Sequence, residues 1–338
     1  MTKIANDNVE ATLRPPSLKD YIGQPKSKKA LQVFLQAGKQ RGGPIEHILF
    51  YGPPGMGKTT LAHIVARELS SELRITSGPA IEKAGDLAAI LTNLNDNDVL
   101  FIDEIHRLPR AVEEALYPVM EDFALDIVLG KGPSARTVRL NVPKIIIIGA
   151  TTRMALLSAP FRDRFGLVLN LDFYSSDEMT QIIQRSADIL KLPLKTEAAQ
   201  AIAKRARKTP RIANRMLKRL RDIQEIHKYD EINMEAMEKL FELIDVDSEG
   251  LTNIDMKYLQ LLITKYNGGP AGLSTLAVSL SEDKQTIEEF VEPYLLQSGF
   301  IKKTSKGRIA SKKAYDHLGL AKFYDRSSDA STQQEKLV

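Results

Sequence analysis

The stretch that decides the fold is GPPGMGKTT, residues 52–60. It follows an apolar run, HILFYG at 47–52, and it precedes the helical pattern TTLAHIVAREL. Because it fits G-x-x-x-x-G-K-[ST] between a predicted strand and a predicted helix, it indicates a phosphate-binding loop rather than a chance glycine turn. Glycines let backbone N–H groups face a phosphate, and the helix that follows presents its positive end.

The side chains of this loop predict contacts with ATP and Mg²⁺. Lys58 is expected to reach the outer phosphates, and the Thr59 hydroxyl is expected to ligate magnesium. The nucleotide-binding residues predicted in the loop are Gly55, Gly57, Lys58, Thr59 and Thr60.

Two further apolar runs, DVLFIDE at 98–104 and KIIIIGATT at 144–152, have the character of buried parallel strands. The first ends in Asp103, a predicted magnesium ligand, followed by Glu104, which is placed to polarise an attacking water. Without the phosphate-binding loop, a solvated Asp-Glu pair would be the better interpretation. Strand and helix in alternation indicate an α/β P-loop core with a parallel sheet and ligands at the carboxyl ends of the strands.

The run at 144–152 ends in Thr151 and Thr152, and either side chain would lie near the γ-phosphate. A hydroxyl there could orient the water or sense the phosphate. We take Thr151 as the catalytic candidate, with an ordinary strand-end threonine as the alternative.

Helical spacing replaces the strand signals from about Ser175 onward, and it predicts helices that start at Ser176, at Thr196 and after TPR at 209–211. Arg211 falls in the first turn of the third helix, where a positive charge opposes the macrodipole. A phosphate brought by a ligand would reverse that effect. Arg211 is therefore a candidate nucleotide contact, with a solvated arginine as the alternative.

The C-terminal part follows DVDSEG at 245–250 and contains three helical stretches and then GFIKKTSKGRIAS at 299–311, two alternating segments about a turn. Helices followed by a basic hairpin indicate a winged helix. The expected segments are a large ATPase domain over 1–174, an α-helical lid domain over 175–247, a C-terminal winged-helix domain over 248–325 and a disordered tail over 326–338.

Composition excludes several classes of site. The chain has no cysteine and five scattered histidines, so neither a disulfide framework nor a thiolate zinc site is expected. It has no apolar run of the roughly 18 residues that a membrane span needs, and no apolar signal-peptide core at its start. We therefore expect a cytoplasmic protein with no membrane partner.

Together these motifs resemble the AAA+ ATPases and, within them, the bacterial motors that drive branch migration at Holliday junctions. The resemblance runs from about Leu13 to Gly319. Its more specific stretches are TSGPAIEKAGDLAAILTNL at 76–94, EEALYPVMEDFALDI at 113–127, RDRFG at 162–166, TPRIANR at 209–215 and EPYLLQSGFIKKTSKGRIA at 292–310. The resemblance implies an ATP-hydrolysing ring, a hexamer, that translocates duplex DNA in recombination and repair together with RuvA and RuvC.

The same resemblance implies roles for residues that the motifs alone would not single out. Arg164 would be an arginine finger that reaches the ATP of the neighbouring subunit, with Arg162 and Asp163 beside it; a local Arg-Asp pair is the alternative. Further nucleotide contacts would be Leu13, Arg14 and Tyr174 on the adenine side, and Glu121, Asp122 and Phe123 at a subunit boundary.

The alternating segment LDIVLGKGPSARTVRLNVP, 125–143, predicts a hairpin that turns at 130–133. The resemblance makes it the docking site for RuvA, with a hairpin packed on its own domain as the alternative.

The resemblance also implies that DNA is contacted by Lys284, Lys303, Lys306 and Arg308. Positions 284 and 303 hold lysine where the family has arginine, so contact there would be electrostatic and would not read sequence. A solvated basic surface is the alternative.

Two other functions compete with the motor. A clamp-loader-type AAA+ assembly ATPase would carry Ser-Arg-Cys at the finger and no basic winged domain, whereas this chain has Asp-Arg-Phe and the basic hairpin. A non-enzymatic, nucleotide-dependent DNA-binding regulator would be expected to have lost Asp103 or Glu104, and both are present.

Overall fold

The computed structural model describes residues 9–42, 45–129 and 136–324. These residues form two compact units: one contains the described residues up to Gln200 together with Lys208–Arg221, and the other contains Ala201–Arg207 and the described residues from Asp222 onward. The predicted tail at 326–338 and the predicted turn at 130–133 lie outside the described residues.

The first unit is built on a five-stranded parallel sheet. In spatial order the strands are β2 (Leu73–Ser77), β3 (Val99–Asp103), β6 (Ile146–Thr151), β1 (Ile48–Tyr51) and β7 (Leu167–Asn170). The three apolar runs of the sequence are the three central strands, almost wholly buried. This confirms the predicted parallel core.

The two edge strands carried no comparable sequence signal. In β2, Arg74 and Ile75 are exposed, and in β7 Val168 is exposed. An edge strand has one neighbour and one solvent side, so it needs no continuous apolar run.

Helices cover the sheet and supply much of the core. The helices that lie in this unit are α1 (Val9–Leu13), α2 (Pro25–Arg41), α3 (Lys58–Glu68), α4 (Ala84–Leu91), α5 (Arg110–Asp122), α6 (Ala159–Arg162) and α7 (Ser176–Leu190). One apolar cluster joins Leu100 and Ile147 of the sheet to Val112 and Leu116 of α5. Each fully buried side chain of this kind contributes about 1.5–3 kcal/mol.

The helices predicted from Ser176, Thr196 and TPR are confirmed as α7, α8 (Thr196–Arg205) and α9 (Pro210–His227). A further helix, α10 (Met234–Leu243), was not predicted. It begins after Asn233, whose side chain accepts a hydrogen bond from the Ala236 N–H, as a helix N-cap does.

The predicted hairpin is also present. Strands β4 (Ala124–Leu129) and β5 (Arg136–Asn141) pair antiparallel, with Leu125 opposite Leu140. On β5 the side chain of Val138 is exposed.

The second unit contains the predicted winged helix. Its elements are α11 (Asn253–Thr264), α12 (Leu273–Leu280), α13 (Lys284–Thr286), a π-helical segment (Ile287–Val291), α14 (Glu292–Gln297), β8 (Ile301–Thr304), β9 (Gly307–Ala310) and α15 (Lys312–His317). Strands β8 and β9 form the wing around the turn at 305–306, over a core that includes Tyr258, Leu276 and Phe300. Among the described helices, none has the length and apolar character to cross a membrane.

Candidate functional site

A cleft in the first unit collects most of the predicted nucleotide contacts. It lies where β1 and β3 end, beside the N-terminus of α3. The predicted residues that line it are Leu13, Arg14, Gly55, Gly57, Lys58, Thr59, Thr60, Asp103, Glu104, Tyr174 and Arg211.

The backbone of the phosphate-binding loop requires glycine at two of these positions. Gly55 and Gly57 have φ values of 80° and 100°, which side-chain-bearing residues rarely adopt. A Cβ on Gly57 would lie 2.6 Å from the Tyr21 hydroxyl, and one on Gly55 would lie 2.6 Å from Cγ2 of Thr209. The loop is therefore packed so closely that a methyl group has no room.

Lys58 is folded back over the loop. Its Nζ donates to the carbonyl oxygens of Gly52 and Pro53 at 2.7 and 3.0 Å. Burial lowers the pKa of Lys58 to about 8, although the nearby Glu104 and Asp103 carboxylates oppose that effect. A bound phosphate could replace these two carbonyl oxygens as the hydrogen-bond acceptor of the Lys58 ammonium group.

Asp103 lies at the end of β3 and Glu104 follows it, and both line the cleft. The Glu104 backbone N–H donates to Oδ1 of Asp103 at 3.0 Å. Glu104 has φ 46° and ψ 47°, in the left-handed region, where residues with a Cβ are strained and often functional.

The two threonines at the end of β6 differ in their surroundings. Thr151 is fully buried, and its hydroxyl lies 3.0 Å from Nδ1 of His106. Thr152 is half-buried and donates to Oε2 of Glu104 at 3.2 Å. Thr151 as the catalytic threonine stays a prediction, and its burial makes the half-buried Thr152 the better candidate to meet a phosphate.

The residues predicted for the adenine side, Leu13, Arg14 and Tyr174, also line this cleft. The hydroxyls of Tyr21 and Tyr174 are 2.8 Å apart, and both lie within hydrogen-bonding distance of the Met56 carbonyl, at 3.3 and 3.1 Å. Burial raises the pKa of Tyr174 to about 12. Arg14 Nη1 lies 2.6 Å from Nε2 of His63 on α3.

Arg211 occupies the second position of α9, as predicted, and it lines the cleft with Lys58. Its charge contributes to lowering the pKa of Lys58. Lys58, Arg211 and the N-terminus of α9 thus all raise the local positive potential where phosphates would bind.

The residues predicted for a subunit boundary do not line this cleft. Arg164 Nη2 lies 3.2 Å from Oε1 of Glu121, and its guanidinium stacks over the ring of Tyr117 at 4.1 Å. Asp122 pairs with Arg139 of the hairpin at 2.8 Å, and Phe123 ends α5 in the left-handed conformation.

Of the predicted DNA contacts, Lys284, Lys303 and Lys306 are exposed. Arg308 differs: it is 8% exposed, and its Nε and Nη2 donate to the two carboxylate oxygens of Glu292 at 2.7 and 2.9 Å. Tyr258 donates to the same carboxylate at 2.9 Å. This corrects the expectation for Arg308, because its guanidinium is already paired with a carboxylate inside the domain.

Several residues that line the cleft were missed from the sequence. They include Tyr21, Ile182, Arg185, Ser186 and Asn214. Tyr21 lies in the ordered segment that follows Leu13, which is a weak signal. The others come from helical faces whose direction only the tertiary structure defines.

Family models and known relatives agree with this architecture. The chain matches the Holliday junction DNA helicase RuvB P-loop domain over residues 13–171, the RuvB AAA lid domain over 174–247 and the RuvB C-terminal winged helix domain over 248–319. The Holliday junction branch migration complex subunit RuvB of Clostridium kluyveri is 54% identical over 328 residues, which cover 97% of this chain and 94% of that protein.

Solved structures give the same result. The Thermotoga maritima RuvB Holliday junction branch migration motor has a TM-score of 0.82 and 48% identity, covering 91% of this chain and 98% of that one. A mutant of the same Thermotoga maritima protein has a TM-score of 0.84 and 49% identity, and the match covers 90% of this chain and 98% of that one. With a relative of this identity along nearly its whole length, the chain belongs to the RuvB family.

Proposed function

We propose that this chain is an ATP-hydrolysing motor that moves duplex DNA and drives branch migration at Holliday junctions in recombination and repair. The observation that carries the proposal is one cleft that joins Lys58, the Asp103-Glu104 pair and Arg211, in a chain that also contains a winged-helix domain. The cleft supplies nucleotide chemistry, and the winged helix supplies a surface for nucleic acid.

Nucleotide binding would use the loop and the α9 terminus together. Backbone N–H groups of the loop and Lys58 would hold the phosphates, and Arg211 would contact them from the opposite wall. Arg14 and Tyr174 would border the base at the other end of the cleft.

Mg²⁺ fits the donor set of this cleft, because hydroxyl and carboxylate oxygens are its preferred protein ligands. Thr59 and Asp103 would hold it. Among the residues that the structure describes, no group of three or more histidine or acidic side chains could hold a metal alone, so the nucleotide phosphates would supply further oxygens. When bound, the metal neutralises charge on the phosphates.

Hydrolysis would depend on Glu104 as the base that accepts a proton from the attacking water. Thr152, which donates a hydrogen bond to the same carboxylate, would orient that water or sense the γ-phosphate. A non-enzymatic DNA-binding regulator would not hydrolyse ATP, so this reaction would distinguish the two functions.

Arg164 would complete the reaction in a neighbouring subunit of a hexameric ring. Arg164 does not line the cleft of its own chain, and it pairs with Glu121, which precedes Asp122 and Phe123; both observations support a role at a subunit boundary. An arginine finger in other nucleotide hydrolases contributes about 10³–10⁵ in rate, so turnover would require assembly.

DNA contact would come from the exposed lysines of the second unit, Lys284, Lys303 and Lys306. Lysine binds phosphate as a point charge and does not read bases, which suits a motor that moves along any sequence. The hairpin of β4 and β5, with Val138 exposed, would dock RuvA, and RuvC would act on the same junction. Cytoplasmic location stays a prediction.

The clamp-loader alternative is disfavoured by family membership and by the basic wing. One assay tests the proposal: ATP-dependent dissociation of a synthetic four-way DNA junction, with and without RuvA. We expect dissociation that requires ATP, is stimulated by RuvA and is lost in Lys58→Ala; ATP hydrolysis without any junction movement in the presence of RuvA would contradict the motor.

A further inference from the structure

His106 lies directly behind the carboxylate of Glu104, and nothing in the site described above gives it a role. It follows β3 in the sequence Asp103-Glu104-Ile105-His106, in a short helical turn at Ile105–Arg107. Its side chain is 6% exposed, whereas the Glu104 side chain is 34% exposed. The histidine is therefore buried, whereas the glutamate next to it is partly exposed and lines the cleft.

Nδ1 of His106 lies within hydrogen-bonding distance of two oxygens. It is 3.2 Å from Oε2 of Glu104 and 3.0 Å from Oγ1 of Thr151. Thr151 Oγ1 also accepts a hydrogen bond from the Arg153 backbone N–H at 2.9 Å. The buried Thr151 and the turn after β6 thus fix the ring on the side away from the cleft.

The chemistry of these groups indicates which ring nitrogen of His106 carries the hydrogen. An ionised carboxylate only accepts hydrogen bonds, so a ring nitrogen next to Oε2 is attracted to it when that nitrogen carries hydrogen. A hydroxyl oxygen has two lone pairs, so Thr151 can accept from the same N–H as well as from Arg153. The arrangement is consistent with His106 donating from Nδ1.

Two groups lie close to Oε2 of Glu104: Thr152 Oγ1 donates a hydrogen bond to it at 3.2 Å, and the ring nitrogen of His106 lies 3.2 Å away. Among the described residues, Oε1 has no hydrogen-bond partner, while Glu104 lines the cleft. One oxygen is held by the protein, and the other is left to accept from water.

We propose that His106 is a positioning residue for Glu104: its Nδ1–H holds Oε2 so that Oε1 faces the position of the attacking water. If a γ-phosphate draws the Thr152 hydroxyl toward itself, His106 remains as the donor that keeps the carboxylate oriented. The inference rests on the proposed function in one respect, the assignment of Glu104 as the base.

The test compares His106→Asn with His106→Leu. Asparagine and leucine have nearly the same shape, but only asparagine carries an N–H that can replace Nδ1–H. We expect His106→Leu to lower kcat by about 10- to 100-fold, the range typical of residues that orient a catalytic ligand. His106→Asn should recover most of that loss, and KM for ATP and the dissociation constant of ADP should stay at wild-type values in both variants.

Adding His106→Leu to Glu104→Gln should cause no further loss of kcat, because substitutions of residues that act as one unit have non-additive effects. If Glu104→Gln retains wild-type turnover, the proposed base is wrong. If Glu104→Gln is inactive while His106→Leu retains wild-type kcat, the base stands and the positioning role is overturned.

Equal losses in the leucine and asparagine variants would also overturn the role, since they would show that the N–H is not what matters. Should the leucine variant fail to bind ADP, His106→Asp replaces it in the comparison. It keeps the size of asparagine and puts a second carboxylate beside Glu104, so we expect low kcat for aspartate and recovery for asparagine; equal kcat values would contradict the proposal.

Discussion

Arg164 and Glu121 form an ion pair within one chain, with 3.2 Å between Nη2 and Oε1. The glutamate side chain is 57% exposed, so the pair contributes at most about 1 kcal/mol. Stacking on Tyr117 further orders the arginine. A triphosphate carries far more negative charge than one carboxylate, so under the proposed function we expect Arg164 to leave Glu121 when a neighbouring subunit presents ATP.

Glu104→Gln should separate binding from turnover. The amide keeps the size of the side chain but cannot accept a proton from water, so kcat should fall by about 10²–10⁴-fold, the usual contribution of a general base. The dissociation constant of ATP should be unchanged. Glu114→Gln, on the exposed face of α5, is the matched control, and equal turnover in the two variants would exclude Glu104 as the base.

ATP binding should weaken at alkaline pH because of Lys58. Burial lowers the pKa of Lys58 to about 8 in the nucleotide-free protein, and bound phosphates would raise it by favouring the charged form. Below the lower pKa the ammonium is already charged and affinity is constant; above it, binding must take up a proton, so affinity falls by up to about tenfold per pH unit.

Calorimetric titration with a non-hydrolysable ATP analogue, from about pH 6.5 to 9.5, measures this dependence; Lys58→Arg is the control because arginine stays charged throughout. The variant should bind with a flat profile over that range. The same alkaline loss in both proteins would assign the effect to another group.

Arg308 should contribute to stability rather than directly to DNA affinity. Removing one partner of a buried ion pair leaves the other charge uncompensated, at a cost of about 3–5 kcal/mol. We therefore expect Arg308→Met to lower the free energy of unfolding in urea, and Glu292→Leu with Arg308→Met to recover much of the loss. An Arg308→Met variant as stable as the wild type but weak in DNA binding would restore Arg308 as a phosphate contact.

Lys303 should contact DNA through charge alone. Each phosphate contact contributes about 0.9 to the slope of log affinity against log salt, so Lys303→Ala should reduce that slope by about one and weaken all duplex sequences equally. Lys257→Ala, an exposed lysine on α11 of the same unit, is the control. Loss of affinity for only some sequences would indicate base contacts instead.

How much of the fold could be predicted depends on the kind of burial. The central strands β1, β3 and β6 are buried on both faces, and so their sequences are continuous apolar runs. Edge strand β2 carries an exposed Arg74 between apolar residues, so it does not stand out from the sequence.

The residues of the candidate site also fall into two groups, those that a local sequence pattern identifies and those that only the fold brings together. Lys58, Thr59, Asp103 and Glu104 belong to local patterns, and their spacing along the chain is enough to identify them. His106 and Thr151 meet because β3 and β6 are neighbours in the sheet, a relation that one sequence does not contain.

The side chain of Arg308 shows a further limit of the sequence. Its position in a basic hairpin predicts a surface role, whereas Glu292 and Tyr258, 16 and 50 residues away along the chain, give it a buried one. A resemblance to a motif identifies the position but not the partner of the side chain.

The most direct test of the account is the ATPase activity of mixed assemblies of Arg164→Ala and Lys58→Ala. Each variant alone should lack activity, since one lacks the finger and the other cannot bind the phosphates. In a mixed ring, a pocket of the first variant can receive Arg164 from the second, so activity should reappear and should pass through a maximum as the mixing ratio changes.

The matched control mixes Arg164→Ala with a chain that carries both substitutions, which supplies no finger and should restore nothing. Activity in the first mixture but not in the second is the predicted result. No activity at any ratio, in mixtures that demonstrably assemble, would contradict hydrolysis at a seam between subunits.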